Sequence, residues 1–181
     1  MAANKQSLAL RLARGDEPAF AELYDACVAS LYRYLTARLG PGDCAADVLQ
    51  TAFVRAVQNR RRFADVRNPV AYMFQIARNE AARARAQAKR QQADWLTTET
   101  IEQTAEDRTP LDDIELAATA LAKLDPEQRE LIELKIYAGL TYQDIAQIIG
   151  QPAATLATRY RRALESLRPW LERQFDLPQS K

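Results

Sequence analysis

Residues 143–162 read QDIAQIIGQPAATLATRYRR, and the fold turns on whether this stretch is two short helices crossing at a turn or the corner of an ordinary bundle. Counting from Tyr142, the fifth residue is Ala146, the ninth Gly150 and the fifteenth Leu156. A helix-turn-helix needs a small residue where its helices touch, a residue that accepts positive φ at the turn, and an apolar anchor on the second helix. Beyond the turn, Leu156, Tyr160, Ala163, Leu164, Leu167 and Leu171 fall on one face at about 100° per residue. Ala154, Thr155, Thr158 and Arg162 then point away, flanked by Arg159 and Arg161, and these outward residues are the candidate base and phosphate readers. The competing reading of the window alone is a solvated arginine-rich face.

Upstream, Thr141 is placed to cap the first of these helices and Gly150 to close it. Asp125-Pro126-Glu127-Gln128 has the order of an N-cap, an N1 proline and a capping-box partner at N3, opening a helix expected to end at Gly139. LDDIELAATALAKL begins this second block. In the first half, Phe20, Leu23, Tyr24, Cys27, Leu31, Leu35 and Leu39 form one stripe stopped by Gly40-Pro41. Asp43 caps a helix whose Val48, Leu49, Ala52, Phe53, Ala56 and Val57 are expected to face inward. NRRRFADVRN follows as a loop with four arginines. Pro69 opens a long helix that buries Val70, Met73, Phe74, Ala77 and Ala81 and runs into ARARAQAKR. Apolar residues recur at three- and four-residue spacings throughout and strand signals are lacking, so the chain is expected to be all-α.

Charge divides the 181 residues into blocks: residues 1–90 hold 15 Lys/Arg against 8 Asp/Glu, residues 91–120 hold 1 against 8, and residues 121–181 hold 9 against 8. Residues 55–90 alone carry 10 basic against 2 acidic side chains, a field that attracts a phosphate backbone. The polar, acidic stretch QADWLTTETIEQTAEDRTP reads as a linker with one helical turn around Trp95. The expected organisation is a helical domain over 1–91, a linker over 92–110 and a helix-turn-helix domain over 111–181. An acidic tract of this kind either masks the 55–90 face or is a solvated connector, and the second reading is preferred.

Other classes are disfavoured. No apolar run is long enough for a membrane span and no charged-then-apolar leader is legible, so no membrane insertion is expected and the cytoplasm is the expected compartment. Cys27 and Cys44 lack CxxC partners and are expected as buried thiols. With no histidine in the chain, the commonest general base and metal ligand is missing; no catalytic residue, metal site or cofactor is expected.

The order of these parts resembles the extracytoplasmic-function (ECF) sigma factors of bacterial RNA polymerase that keep only regions 2 and 4, over about residues 8 to 172. AFAELYDACVASLYRYLTARLG looks like their opening region 2 helix, AADVLQTAFVRAV like their polymerase-docking segment, FADVRNPVAYMFQIARNEAARARAQAKR like their promoter-melting segment, and LAKLDPEQRELIELKIYAGLTYQDIAQIIGQPAATLATRYRRALESL like region 4. The resemblance implies a detachable, non-enzymatic subunit that directs core RNA polymerase to promoter DNA and helps open it, with an anti-sigma factor as a further partner. It puts Asp47 and Gln50 against the polymerase clamp. It puts Arg67, Asn68 and Tyr72 near the unpaired strand of the −10 element, with Arg78, Asn79, Arg83, Arg85, Lys89 and Arg90 along the flanking DNA, as a basic groove for melted DNA would require. Thr155, Thr158, Arg159, Arg161 and Arg162 are implied for the −35 major groove.

The chain departs from the family pattern at several of these places. Ala46 stands before Asp47 where relatives carry an acidic pair, Val57 where they often end the segment with Trp or Tyr, and Tyr72 and Gln75 where Trp and Arg are common. Ala154 and Ala157 replace the usual Gly and Lys or Arg of the recognition helix, which removes one cationic contact to DNA. A sigma-like DNA-binding regulator or adaptor that does not program initiation is the alternative that Ala46, Gln75 and Ala157 support, and core-polymerase binding separates the two. A nucleic-acid-processing enzyme is disfavoured by the lack of a metal cluster or nucleophile–base pair.

Overall fold

The computed structural model describes residues 2–39, 43–94 and 119–175. The described residues are helical, without strands: α1 (Ala2–Arg14), α2 (Glu17–Leu39), α3 (Asp43–Gln58), a 3-10 helix (Arg60–Asp65), α4 (Pro69–Asp94), then α5 (Pro126–Tyr137), α6 (Tyr142–Ile149) and α7 (Ala153–Phe175). The linker expectation beyond Asp94, including the turn around Trp95, lies outside the described residues.

Local chemistry sets most boundaries. The Asp125 carboxylate accepts from the backbone N–H groups of Glu127 and Gln128, two of the donors that an α-helix start leaves unpaired, and Pro126 follows as N1. Thr141 and Asp144 form a reciprocal capping box on α6. Gly150 closes α6 at φ 79°, a left-handed conformation that glycine adopts without strain, and its N–H bonds the Ala146 carbonyl at 2.8 Å. α5 ends at Tyr137, two residues before Gly139. A helical turn over residues 119–122 precedes α5, and Arg129 donates to the Leu121, Ala122 and Leu124 carbonyls at 2.8, 3.1 and 3.3 Å, satisfying that turn's terminal acceptors.

Helices α2, α3 and α4 pack on one another, and α1 lies along the 3-10 helix. The arginine-rich stretch is therefore largely helical rather than a loop, anchored by the fully buried Phe63, whose ring meets Phe20 at 6.1 Å and Tyr72 at 5.1 Å, both edge-on. The second block does not stand apart. Its Leu131, Leu134, Leu140, Ile145, Ile148 and Leu156 join one continuous apolar core with Tyr34, Phe74 and Ala77 of the first. α5 packs on α2, and α6 on α4. A second, small cluster of Ala120, Leu124, Ile132, Ala163 and Leu167 holds α5 to α7.

Several expected positions differ. Cys44 is exposed, as are Tyr24, Val57 and Leu164. On α3 the buried stripe is Ala45, Val48, Ala52 and Ala56; Cys44 lies one helical step off it, and so does Val57. Cys27 is buried as expected, its Sγ donating to the Leu23 carbonyl at 3.0 Å, and burial pushes its thiol up to about 12.

Candidate nucleic-acid interface

Two surfaces gather the cations expected to face DNA. On α4, the inward side is taken by Met73, Phe74, Ala77 and Ala81. This leaves Asn79, Arg83, Arg85, Lys89 and Arg90 exposed along the solvent side. Arg83 is held by Glu80, a largely buried carboxylate that Arg55 of α3 also approaches at 3.5 Å. Arg67 is exposed. Asn68 caps the start of α4, its Oδ1 accepting from the Ala71 N–H at 3.4 Å. Asn68 and half-buried Tyr72 line a cavity of about 340 Å³ whose opposite wall is Asp144, Gln147 and Ile148 of α6.

Arg78 is the exception on this face. It reaches across to the second block, where its Nε donates to Glu130 Oε1 at 2.7 Å and its Nη2 to Oε2 at 3.3 Å. The Tyr34 hydroxyl donates to the same Oε1 at 3.1 Å, and Arg38 lies 3.3 Å from it. Burial pushes the Glu130 carboxyl up, but the bonds from Arg78 and the charge of Arg38 outweigh it, leaving the group below its ordinary range. Glu133, one turn along, is 1% exposed, and neither oxygen has a hydrogen-bond partner. Arg38 stands 3.6 Å away, beyond hydrogen-bond reach. Burial dominates there and raises Glu133 to about 7, with the neighbouring Glu130 charge adding to the effect.

On α7, buried Leu156, Ala163 and Leu167 turn Ala154, Thr155, Thr158, Arg161 and Arg162 to solvent. Thr158 bonds the Ala154 carbonyl at 3.1 Å, Arg159 pairs with exposed Glu127 at 2.6 Å, and Arg161 stands 3.8 Å from Glu165. Tyr142 and Tyr160 meet edge-on at 5.9 Å, joining α6 to α7. This is the helix-turn-helix arrangement, with the outward face of its second helix uncovered. On α3, Asp47 and Gln50 are exposed on the side that also carries exposed Val54 and Val57. Among the described residues no group of three or more histidine, cysteine or carboxylate side chains is placed to hold a metal ion, and no helix is long and apolar enough to cross a membrane.

The sequence reading missed Tyr34, Arg38, Glu80, Glu130 and Glu133. Nothing local marks the two α5 glutamates: α5 is wedged between α7 on one side and α2 on the other, so five consecutive residues, Glu130–Leu134, are buried, and the usual one-sided helical stripe disappears.

A helical chain with a basic face and a helix-turn-helix belongs to the DNA-binding class. Family models described as Sigma-70 region 2 and Sigma-70, region 4 match residues 23–91 and 114–167. The ECF RNA polymerase sigma factor SigL of Mycobacterium tuberculosis is 33% identical over 155 residues, covering 83% of this chain and 87% of that protein. The ECF RNA polymerase sigma factor BldN of Streptomyces coelicolor is 28% identical over 172 residues, covering 91% of this chain; the match spans 65% of BldN's own length. The sigma factor RpoE of Bartonella quintana, solved with the anti-sigma factor NepR, is similar at TM-score 0.65 and 28% identity, covering 84% of this chain and 95% of that one. CnrH, solved with the cytosolic domain of CnrY, has TM-score 0.64 at 23% identity over 93% of this chain and 97% of its own, a likeness of fold alone. The chain belongs to the ECF RNA polymerase sigma factors.

Proposed function

We propose that the chain directs core RNA polymerase to promoters by reading two separated DNA elements, and that it works in the cytoplasm without catalysing a reaction itself. The observation that carries this reading is the pairing of an outward helix-turn-helix face on α7 with a second, cationic face on α4. Thr155, Thr158, Arg159, Arg161 and Arg162 read the −35 duplex, where α7 enters the major groove. Arg67, Asn68 and Tyr72 receive the unpaired −10 strand, and Arg78, Asn79, Arg83, Arg85, Lys89 and Arg90 hold its backbone. Asp47 and Gln50 dock on the polymerase, with Val54 and Val57 supplying apolar area beside them. RpoE and CnrH were each solved with a partner, an anti-sigma factor in the first case, and a partner of that kind is proposed here.

The test is reconstitution with core polymerase. Transcripts starting at defined promoters are expected, and Asp47→Arg is expected to abolish both co-purification with the polymerase and initiation while leaving helical content intact. Binding unchanged by that substitution would favour the adaptor reading. The division into blocks at 1–91, 92–110 and 111–181 belongs to the same proposal, and α4 runs to Asp94. Limited proteolysis is expected to cut first between 95 and 110.

A further inference from the structure

We propose that Glu130 of α5 is an internal substitute for DNA phosphate: it occupies Arg78 and fastens the second block over the −10 face, so that closure and binding of the melted strand exclude each other. The proposal rests on the reading of Arg78 as a DNA contact made above.

Three observations converge on it. The first is geometry. Arg78 offers two of its nitrogens to the two oxygens of one carboxylate, the forked arrangement a guanidinium also makes with a phosphate. The same donors cannot serve both. The second is burial. Glu130 is 6% exposed and receives Arg78, Arg38 and the Tyr34 hydroxyl together, all three from the first block, so this low-dielectric cluster of bonds exists only while the blocks are closed. The third is coverage. The cavity that holds Asn68 and Tyr72 has α6 as its far wall, with Asp144 and Gln147 facing Arg62 and Asn68 across it. One closure therefore engages the Arg78 cation and roofs the neighbouring base site, while Thr155, Thr158 and Arg162 stay exposed. Free in solution, the chain offers its −35 reader and withholds the central part of its −10 reader. Whatever separates the blocks, polymerase included, restores it. Apparent affinity for single-stranded DNA is then the intrinsic affinity reduced by the fraction of open chains.

The full-length chain decides this through two readouts, compactness by small-angle X-ray scattering and affinity for a labelled single-stranded oligonucleotide of mixed base sequence. Glu130→Gln keeps the shape and removes the charge; it is expected to raise the radius of gyration and tighten DNA binding about tenfold or more. Arg78→Met breaks the same contact from the other side, so it is expected to expand the chain without any gain in affinity. Tyr34→Phe removes one donor and is expected to produce a smaller expansion and a smaller gain than Glu130→Gln, which covers the case in which the glutamate variant folds poorly by circular dichroism. The double variant carrying both Glu130→Gln and Arg78→Met is expected to lose the gain. Unchanged compactness, or unchanged affinity in an expanded Glu130→Gln chain, overturns the masking. If Arg78→Met instead costs no affinity in the expanded Glu130→Gln background, the DNA reading of Arg78 itself fails and the substitution of Glu130 for phosphate fails with it. If Arg78→Met costs affinity there while Glu130→Gln gained none, the reading stands and only the masking falls.

Discussion

The two surfaces proposed to face DNA use the same cation on helices of comparable length, yet the fold treats them in opposite ways. On α7, Arg159 and Arg161 pair with exposed carboxylates of their own block, Glu127 and Glu165. Such pairs contribute about 0–1 kcal/mol and are screened by salt, so a phosphate displaces them readily. On α4, Arg78 pairs with a carboxylate of the other block that is out of water and held by two further donors. In that low-dielectric setting partners are not exchanged without moving the helices. The difference teaches that an arginine's availability to DNA is set by the burial of its partner.

The largest expected effect concerns the packing under the contrast. Leu131 is fully buried in the core that both blocks share, so Leu131→Ala is expected to cost about 2–5 kcal/mol of stability in chemical unfolding and to expand the chain before global melting. If it melts the second block alone and leaves compactness untouched, the blocks are less tightly joined than the shared core implies.

pH sharpens the same point. The charged and titratable groups that act on Glu133 are Arg38 of α2 and Arg129, Glu130 and Tyr137 of α5. Glu130 is held below its ordinary range and Tyr137 is shifted up, so across pH 5–8 the titration belongs to Glu133. Its carboxyl is raised from 4.5 to about 7 in the closed arrangement. The closed state therefore takes up the proton more readily, and this contribution to closure is complete below about 4.5 and lost as pH rises through about 7. Scattering is expected to show a more compact chain at pH 6 than at pH 8. Glu133→Gln should flatten that dependence; a variant that keeps it would move the titration elsewhere.

On the open surface, Ala157 sits beside buried Leu156 on the α7 face proposed to meet DNA. Ala157→Lys adds a backbone contact and is expected to tighten binding of duplex DNA by the full chain by about 1 kcal/mol, with a salt slope steeper by about 1 and a similar gain across sequences. The smallest effect belongs to the outer part of α4. Arg85 is exposed and outside the Glu130 contact, so Arg85→Ala is expected to reduce the slope of log K against log salt for single-stranded DNA by about 0.7. Arg83, engaged by Glu80, should contribute less, and equal effects from the two would show that the Glu80 pair is as exchangeable as those on α7.

Much of this molecule was legible one helix at a time. The Asp125 cap, the Thr141 cap, Gly150 at the turn and the Leu156 stripe all depend on neighbours three or four positions apart. α1 carries the same kind of signal, Ala9 and Leu12 inward with Gly15 at the stop. At Tyr24, Val57 and Leu164 the apolar stripe of the sequence is wider than the packed face, and these side chains are exposed. The Glu130 cluster had no such signal, because its bonds join residues 52 and 96 positions apart and α5 is covered from two sides.

The sequence by itself determined the all-α class, the ends of most helices, the helix-turn-helix and the cationic faces of α4 and α7. Each is a consequence of backbone hydrogen bonding and a 3.6-residue period acting over a few residues. Only the tertiary structure decided which of those cations stand free. That depends on how α5 and α6 dock on α2 and α4, a matter of shape and burial across the chain, where a carboxylate removed from water must collect its partners from whatever helix lies opposite.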